Sequence, residues 1–226
     1  MTAPVLDAIL FDAGGVLVVP DPTVLGPLLG PYGGSLDPAV HHRAHYLAMR
    51  AHDVGDDPGW HQYHCAYVGA VGVPDDEFDV AVPVLRDTFN SWLWRYPNDG
   101  AIEVLRGLAA REVPIGVVSN ASGQIEAVLR RLGVCQVGDG DGACVVCVVD
   151  SHVVGVSKPD PGIFASALEQ LGVPRERVAY VGDSIRYDVG GARAAGLVPV
   201  LLDPYTDTDG DGHHRITSLS DLLAWF

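Results

Sequence analysis

The fold is decided by the stretch VLDAILFDAGGVL, residues 5–17. Its first part, 5–11, is a short apolar run typical of a buried strand, and Asp12 follows directly, ahead of a glycine turn. A buried carboxylate without a partner costs several kcal/mol, so folding alone explains Asp12 poorly. A cation should therefore lie close to it. The chain offers Lys158 and a metal ion held jointly with Asp183.

Short apolar runs alternate with helical patterns along much of the chain. This alternation predicts an α/β fold, a doubly wound parallel sheet of the Rossmann-like kind with helices on both faces. In such a sheet the reactive groups gather at the carboxyl ends of the strands. The predicted strands are 5–11, 114–118, 145–149, 177–181 and 198–202, and the predicted helices are 99–111, 122–132, 160–171 and 187–195.

One segment, 20–96, interrupts the alternation between the first strand and the next α/β unit. It is too long for a loop. It contains helical patterns near 37–53, 57–71 and 75–94, separated by prolines and glycines. We interpret it as an inserted α-helical cap subdomain, which leaves 1–19 and 97–226 as the α/β core.

Composition excludes several classes of protein. The 226 residues carry a net charge of -15 with a pI of about 4.7, which disfavours nucleic acid as a partner. The chain has four cysteines with no disulfide pattern, which favours a reducing compartment. There is no run of membrane-spanning length and no signal-peptide pattern, so we expect a soluble, cytoplasmic protein without membrane contact. The sequence does not indicate an oligomeric state.

Four polar motifs follow predicted strands. They are Asp12 with its glycine turn, Ser119-Asn120, Lys158 ahead of a proline, and the Gly182-Asp183 pair with Asp188 downstream. Alone, each has an ordinary explanation: a helix cap, a surface lysine or a turn. Together they are more specific, because parallel strands bring their carboxyl ends to one edge of the sheet.

This order of motifs resembles the haloacid dehalogenase-like (HAD) hydrolase superfamily, and the resemblance covers 5–202 including the helical insertion. It implies a catalytic role for Asp12 as the nucleophile that forms an aspartyl-phosphate. It implies that the Ser119 hydroxyl bonds the transferring phosphoryl group and that Lys158 bridges nucleophile and phosphate. It also implies that Asp12, Asp183, Asp188 and the Gly14 carbonyl serve an Mg²⁺ site.

The physical chemistry agrees with these roles. Phosphoryl transfer requires positioning and neutralisation of charge, and a carboxylate nucleophile is ionised without a base. Mg²⁺ prefers carboxylate and carbonyl oxygens. The amides of Ala13, Gly14 and Gly15, and that of Asn120, are candidates for binding the phosphate of a small phosphorylated metabolite.

Gly14 departs from the pattern of the phosphatase branch, which has a second aspartate there as general acid and base. Loss of a general acid costs about 10²–10⁴-fold for a poor leaving group. Three interpretations follow. The protein is a phosphatase whose proton comes from elsewhere or whose substrate has a good leaving group; it is a metal-independent 2-haloacid dehalogenase; or it is a weakly active or inactive relative that binds a phosphorylated ligand or a protein.

The inserted segment is rich in histidine, and one of these residues is a candidate for the missing acid. The simpler interpretation is a solvated or partly packed helix face. The aromatic residues near its end, Trp92, Trp94 and Tyr96, are expected to anchor the segment to the core, and Arg95 is a candidate for contact with a substrate anion. Two further motifs receive structural interpretations: Cys144 and Cys147 as small buried residues, and the partial calcium-loop match at 207–212 as a solvated acidic loop. The six histidines of the inserted segment 20–96 are His41, His42, His45, His52, His61 and His64.

Overall fold

The computed structural model describes residues 5–55, 60–208 and 212–226. The chain divides into two compact units. The first, the α/β unit, comprises the chain up to Val18 and resumes at Pro97. The second, the helical unit, comprises Val19–Tyr96. Among the described residues, no helix has both the length and the apolar character needed to cross a membrane.

The bounds of the strands and helices follow the chain in order. The strands are β1 (Ala8–Phe11), β2 (Val18–Pro20), β3 (Trp94–Pro97), β4 (Ile115–Ser119), β5 (Cys135–Val137), β6 (Ala143–Val145), β7 (Cys147–Asp150), β8 (Val178–Gly182), β9 (Val198–Leu202) and β10 (His214–Ile216). The helices are α1 (Pro22–Leu29), α2 (Pro38–Val54), α3 (His61–Ala70), α4 (Phe78–Thr88), α5 (Ala101–Ala109), α6 (Ile125–Arg131), α7 (Ser151–Val154), α8 (Ala165–Leu171) and α9 (Gly190–Ala195).

The α/β unit is built on a parallel sheet with the strand order β10-β9-β8-β1-β4-β7. Two pairs of short strands, β2 with β3 and β5 with β6, form separate two-stranded sheets. The parallel, doubly wound α/β fold predicted from the sequence is therefore confirmed. Strand β1 is central because all four of its residues are apolar and fully buried, as a strand covered on both faces requires.

The register places the ends of the central strands side by side. Phe11 of β1 pairs with Val117 of β4 and Val181 of β8. The amide of Asp12 donates to the carbonyl oxygen of Val181 at 2.8 Å, which extends the ladder by one residue. Asp12 therefore stands at the carboxyl edge of the sheet, where β4 and β8 also end.

The helical unit has its own core, in which apolar side chains of α1–α4 surround buried tyrosines such as Tyr63 and Tyr67. The sequence analysis did not predict α1, since its prolines were interpreted as breakers. Pro22 occupies the first turn, where a missing amide costs nothing, and the Asp21 carboxylate accepts from the amide of Thr23 as the N-cap.

Several local predictions differ from the structure. The strand expected at 145–149 is divided between β6 and β7, so Cys144 and Cys147 lie on different strands. Cys147 is buried as expected, but Cys144 is exposed, and the prediction for it was wrong. The expected start of the helix at 57 lies outside the described residues, as do positions 209–211 of the partial calcium-loop match.

Candidate active site

Asp12 is buried, with 8% of its surface exposed. Its Oδ1 atom accepts from the amide of Ala13 at 2.7 Å and lies 2.9 Å from the Lys158 Nζ atom. Its Oδ2 atom has no hydrogen-bond partner among the described residues. One carboxylate oxygen is therefore held in place while the other remains available for chemistry.

Lys158 brings its charge to the same point, with only 3% of its surface exposed. Its Nζ atom lies 2.6 Å from Asp188 Oδ1 and donates to the Tyr180 hydroxyl oxygen at 2.8 Å. Ion pairing with Asp12 and Asp188 raises the pKa of Lys158 against the opposing effect of burial. The ammonium is therefore charged at neutral pH. Lys158 is also the only lysine in the sequence, a signal of a specific role that the motif analysis did not use.

Asp188 is buried and is bonded through both carboxylate oxygens. Its Oδ2 atom accepts from the amides of Asp183 at 3.1 Å and Ser184 at 3.0 Å, while Oδ1 faces Lys158. The approach is close enough that a Cβ atom at Gly182 would collide with the Asp188 side chain. Gly182 is thus required for packing, and Asp188 fixes the turn that carries Asp183.

Asp12, Asp183 and Asp188 are all buried, and each offers one oxygen atom within 4.8 Å of the others. One lysine cannot neutralise three carboxylates. Burial, together with the nearby Asp188 and Asp183, raises the pKa of Asp12 to about 7 despite the opposing effect of Lys158. A hard divalent cation fits this donor set, since carboxylate oxygens are the ligands that Mg²⁺ prefers.

The glycine turn after Asp12 has one unpaired peptide group. The Ala13 amide is used by Asp12, and the Gly15 amide donates to the Val18 carbonyl oxygen at 2.8 Å. By contrast, neither the amide nor the carbonyl of Gly14 has a hydrogen-bond partner within the described part of the chain. Of the three candidate amides in this turn, the Gly14 amide is thus the one that remains available to phosphate, and the Gly14 carbonyl is available to a metal ion.

Ser119 is the last residue of β4, the strand that pairs with β1, and Asn120 follows it. The Ser119 hydroxyl has no hydrogen-bond partner in the described ranges, although the residue is 3% exposed. It does not cap a helix, because α6 begins at Ile125 with Gln124 as its N-cap. The prediction for Asn120 concerned its backbone amide. Its side chain has a separate engagement: Oδ1 accepts from the Lys158 amide at 2.8 Å and Nδ2 donates to the Lys158 carbonyl oxygen at 3.0 Å.

Tyr180 was not predicted as a site residue, because the sequence shows it only as part of an apolar strand. It is 1% exposed, and its hydroxyl donates to the Val118 carbonyl oxygen at 2.9 Å while accepting from Lys158. A tyrosine in a strand otherwise composed of small or branched apolar residues was the available signal, since a buried hydroxyl needs a partner.

Burial determines the protonation of two histidines of the helical unit. It lowers the pKa of His45 to about 3, and burial together with nearby cations lowers that of His64 to about 4. Neither is an imidazolium cation at neutral pH, so neither is a ready general acid. His41 is held between the Tyr67 hydroxyl and the Ser35 carbonyl oxygen at 2.8 and 2.7 Å. These three side chains are packed inside the unit, so they do not fit the role of the missing general acid.

The geometry agrees with comparisons with known proteins. Residues 6–196 match the family model described as haloacid dehalogenase-like hydrolase. The chain belongs to the haloacid dehalogenase-like hydrolase family. The match covers most of the sequence and includes every motif at the strand ends.

Relatives of this hydrolase are found in animals and bacteria. It is 33% identical over 160 residues to haloacid dehalogenase-like hydrolase domain-containing protein 3 of Mus musculus, a match covering 67% of this chain and 61% of that protein. It is 37% identical over 131 residues to phosphoglycolate phosphatase of Rhodospirillum rubrum, covering 58% and 48%. The chain therefore spans less than two thirds of the length of these relatives. A HAD phosphatase from Thermococcus onnurineus shares the fold, with a TM-score of 0.61, 21% identity and 97% coverage of each chain.

Proposed function

We propose that this hydrolase is an Mg²⁺-dependent phosphatase acting on a small phosphomonoester through an aspartyl-phosphate on Asp12. The observation that carries the proposal is the meeting of Asp12, Asp183 and Asp188 within 4.8 Å, beside a buried lysine. The phosphatase names of several relatives, such as the one from Rhodospirillum rubrum, support the same reaction class.

In the proposed reaction, the unpaired Oδ2 atom of Asp12 attacks the phosphorus atom and the bond to the leaving oxygen breaks. The contact of 2.9 Å between Lys158 Nζ and Asp12 Oδ1 keeps the nucleophilic carboxylate oriented. The Ser119 hydroxyl and the Gly14 amide are available to bond phosphoryl oxygens. Water then attacks the phosphorus of the aspartyl-phosphate, which releases inorganic phosphate and restores the carboxylate.

The cation belongs with Asp12, Asp183 and the Gly14 carbonyl in this proposal. When bound, it supplies charge neutralisation to the phosphoryl oxygens. Asp188 acts through the turn that it fixes, because its two oxygens already bond protein groups. A cation beside Asp12 also favours the ionised carboxylate. This is a further reason for the cation, since an ionised nucleophile is needed at neutral pH.

Gly14 limits the class of substrate. Without a carboxyl group at this position, the leaving oxygen receives no proton from the turn. Substrates whose leaving group departs as a stable anion, such as acyl or anomeric phosphates, should therefore be turned over faster than alkyl phosphates. Gly14 does not have a positive φ, whereas Gly15 has a φ of 73°. The backbone conformation at position 14 is therefore one that a residue with a side chain can adopt.

The test is a panel of phosphorylated metabolites assayed for phosphate release with and without Mg²⁺. Asp12→Asn should reduce turnover to less than about one thousandth, since the carboxylate is the nucleophile. Asp7→Asn is the matched control, because Asp7 lies before the opposite end of β1 and pairs with Arg177. Turnover that survives Asp12→Asn, or that proceeds without metal and releases halide from haloacids, would refute the proposal.

A second variant tests the substrate class. Gly14→Asp should raise turnover of alkyl phosphates by about tenfold or more while changing acyl phosphate turnover little. Unchanged alkyl phosphate turnover in a folded, Mg²⁺-binding variant would show that the proton comes from another group.

A further inference from the structure

The ammonium group of Lys158 lies within 2.9 Å of three acceptor oxygens. These are Asp12 Oδ1 at 2.9 Å, Asp188 Oδ1 at 2.6 Å and the Tyr180 hydroxyl oxygen at 2.8 Å. An ammonium has three donors and no acceptor, so this set is complete. Two of the partners are carboxylates already attributed to the site. The third, Tyr180, has no assigned role.

The direction of the Tyr180 hydrogen bonds follows from its single hydroxyl proton. The hydroxyl lies 2.9 Å from the Val118 carbonyl oxygen and 3.2 Å from Asp188 Oδ1, both of them acceptors. Lys158 can only donate. The hydroxyl therefore accepts from Lys158 and donates to Val118, the nearer of its two acceptors. Since Val118 directly precedes Ser119, Tyr180 links the strand that carries the serine to the charged end of the lysine.

The backbone of Lys158 is held at the other end of the residue by Asn120. The Asn120 side chain accepts from the Lys158 amide at 2.8 Å and donates to its carbonyl oxygen at 3.0 Å. The loop that carries Asn120 is itself tied to the end of β7, where Asp150 accepts from the Gly123 amide at 2.8 Å. Ser151 exchanges hydrogen bonds with both peptide groups of Ala121, at 3.1 and 3.2 Å.

We propose that Asn120 and Tyr180 are positioning residues that together hold Lys158 for phosphoryl transfer, Asn120 at the backbone and Tyr180 at the ammonium. The proposal rests on the proposed function. A lysine side chain has four rotatable carbon–carbon bonds, so a fixed backbone alone leaves the ammonium free to move. A misplacement of about 1 Å can cost on the order of 10²-fold in rate. Fixing both ends removes that freedom before substrate binds.

The first test removes only the hydroxyl. Tyr180→Phe should lower kcat about 10- to 100-fold and change KM less than about threefold, because a displaced lysine weakens transfer more than binding. The ring still packs edge-on against Phe164. Tyr67→Phe is the matched control: Tyr67 is equally buried, and its hydroxyl has a hydrogen bond of 2.8 Å to His41 in the helical unit. A kcat of wild-type size in Tyr180→Phe would overturn the assignment of Tyr180.

The second test concerns Asn120. Asn120→Ala should show the same split between kcat and KM. Asn90→Ala is its control, since the Asn90 side chain also bonds a backbone amide and a backbone carbonyl, those of Trp92 and Thr88, both at 2.9 Å. Equal losses of kcat in the two variants would show that Asn120 contributes only to general stability. This result would overturn its assignment as a positioning residue.

A double-mutant cycle decides whether these residues act through Lys158. In a Lys158→Ala background, Tyr180→Phe and Asn120→Ala should cause no further loss of the residual rate. Losses that multiply with that of Lys158→Ala would show independent action and would refute the proposal.

A readout without substrate separates this inference from the proposed function. Because Lys158 is the only lysine, protein labelled with [15N]lysine gives one ammonium signal in NMR spectra. Its protons should exchange slowly with water in the wild type and at least about tenfold faster in Tyr180→Phe, with Tyr67→Phe unchanged. Unaltered exchange would overturn the positioning role even if the wild type is a phosphatase. Failure of Asp12→Asn to abolish phosphate release would overturn the proposed function alone.

Discussion

Two buried polar networks, one in each unit, are built in opposite ways. At the carboxyl edge of the sheet, three buried carboxylates face one lysine, so the arrangement keeps an excess of negative charge. In the helical unit, His41 and His45 pair with the hydroxyls of Tyr67 and Tyr63 at 2.8 and 2.9 Å. Burial lowers the pKa of both histidines, so these pairs are neutral at pH 7.

The difference shows which network serves stability and which serves chemistry. Neutral hydrogen-bonded pairs satisfy their polar atoms at little electrostatic cost. Uncompensated carboxylates are costly unless a cation joins them. A protein selected only for stability has no reason to retain the second arrangement, and this supports the candidate active site over a purely structural network. The four predictions below test this contrast.

The largest effect should come from removing the buried cation. Lys158→Met leaves Asp12 and Asp188 without their ammonium partner, so the free energy of unfolding in metal-free buffer should fall by about 3–5 kcal/mol. Urea titration measures it. The control is Arg177→Met, which removes an ion pair whose side chains are 46% and 31% exposed and should cost less than about 1 kcal/mol. Equal losses would mean that the buried network is no more dependent on its cation than the surface is.

Mg²⁺ should stabilise the folded protein, because it offsets the excess negative charge of the buried carboxylates. A cation that binds only the folded state at 100 times its Kd adds about 2.7 kcal/mol of stability. Differential scanning calorimetry should therefore show a rise in Tm with Mg²⁺ that Asp183→Asn abolishes and Asp7→Asn retains. If Asp183→Asn responds as the wild type does, the cation binds elsewhere.

Acid should destabilise the helical unit through its histidines. The pKa of His45 is lowered in the folded state to about 3 from the ordinary value of 6.5, so its contribution is fully present above pH 6.5 and is lost as the pH falls toward 3. The loss should reach about 1.4 kcal/mol per pH unit, or about 2 kcal/mol between pH 6.5 and 5. His64 acts in the same direction.

The measurement should use an Asp12→Asn background, because the raised pKa of Asp12 acts in the opposite direction, favouring the folded state as the pH falls below about 7. In this background His45→Gln should flatten the dependence of unfolding free energy on pH. His61→Gln, at an exposed position, should leave it unchanged. Parallel curves for the two variants would contradict the assigned shift.

The smallest effect should be the loss of one neutral hydrogen bond. Tyr63→Phe removes the hydroxyl 2.9 Å from His45 Nδ1, and the expected cost is about 1 kcal/mol. The loss should be independent of added Mg²⁺, in contrast to Lys158→Met. A Mg²⁺-dependent loss would show that the two networks are coupled.

The sequence was sufficient to predict the parallel sheet and the meeting of Asp12, Lys158 and Asp183. Each of these residues follows a buried apolar run, and parallel strands end at one edge. The roles of Tyr180 and Asn120 were not predictable in the same way. They depend on which oxygen lies within 3 Å of which nitrogen across residues distant in the chain, and spacing carries no such information.

Helix α1 and Cys144 show a different limit. The prolines of α1 suggest helix breakers, but Asp21 is the N-cap of a helix that begins at Pro22. An apolar run around Cys144 suggests one strand, but the backbone turns at Val146 and starts another, leaving the thiol exposed. The start of α1 is set by local capping at Asp21. The division at Val146 involves a contact distant in the chain, because the Val146 amide donates to the Ile115 carbonyl oxygen at 2.7 Å.

The central position of β1 has a consequence for how the protein is made. β1 is synthesised before its neighbours β4 and β8, which lie far downstream in the chain. Until those strands are made, the nascent chain carries β1 as an unpaired, wholly apolar strand, an edge that invites chaperones or aggregation. Closure of the sheet around this strand, late and dependent on contacts distant in sequence, should be the slow step of folding.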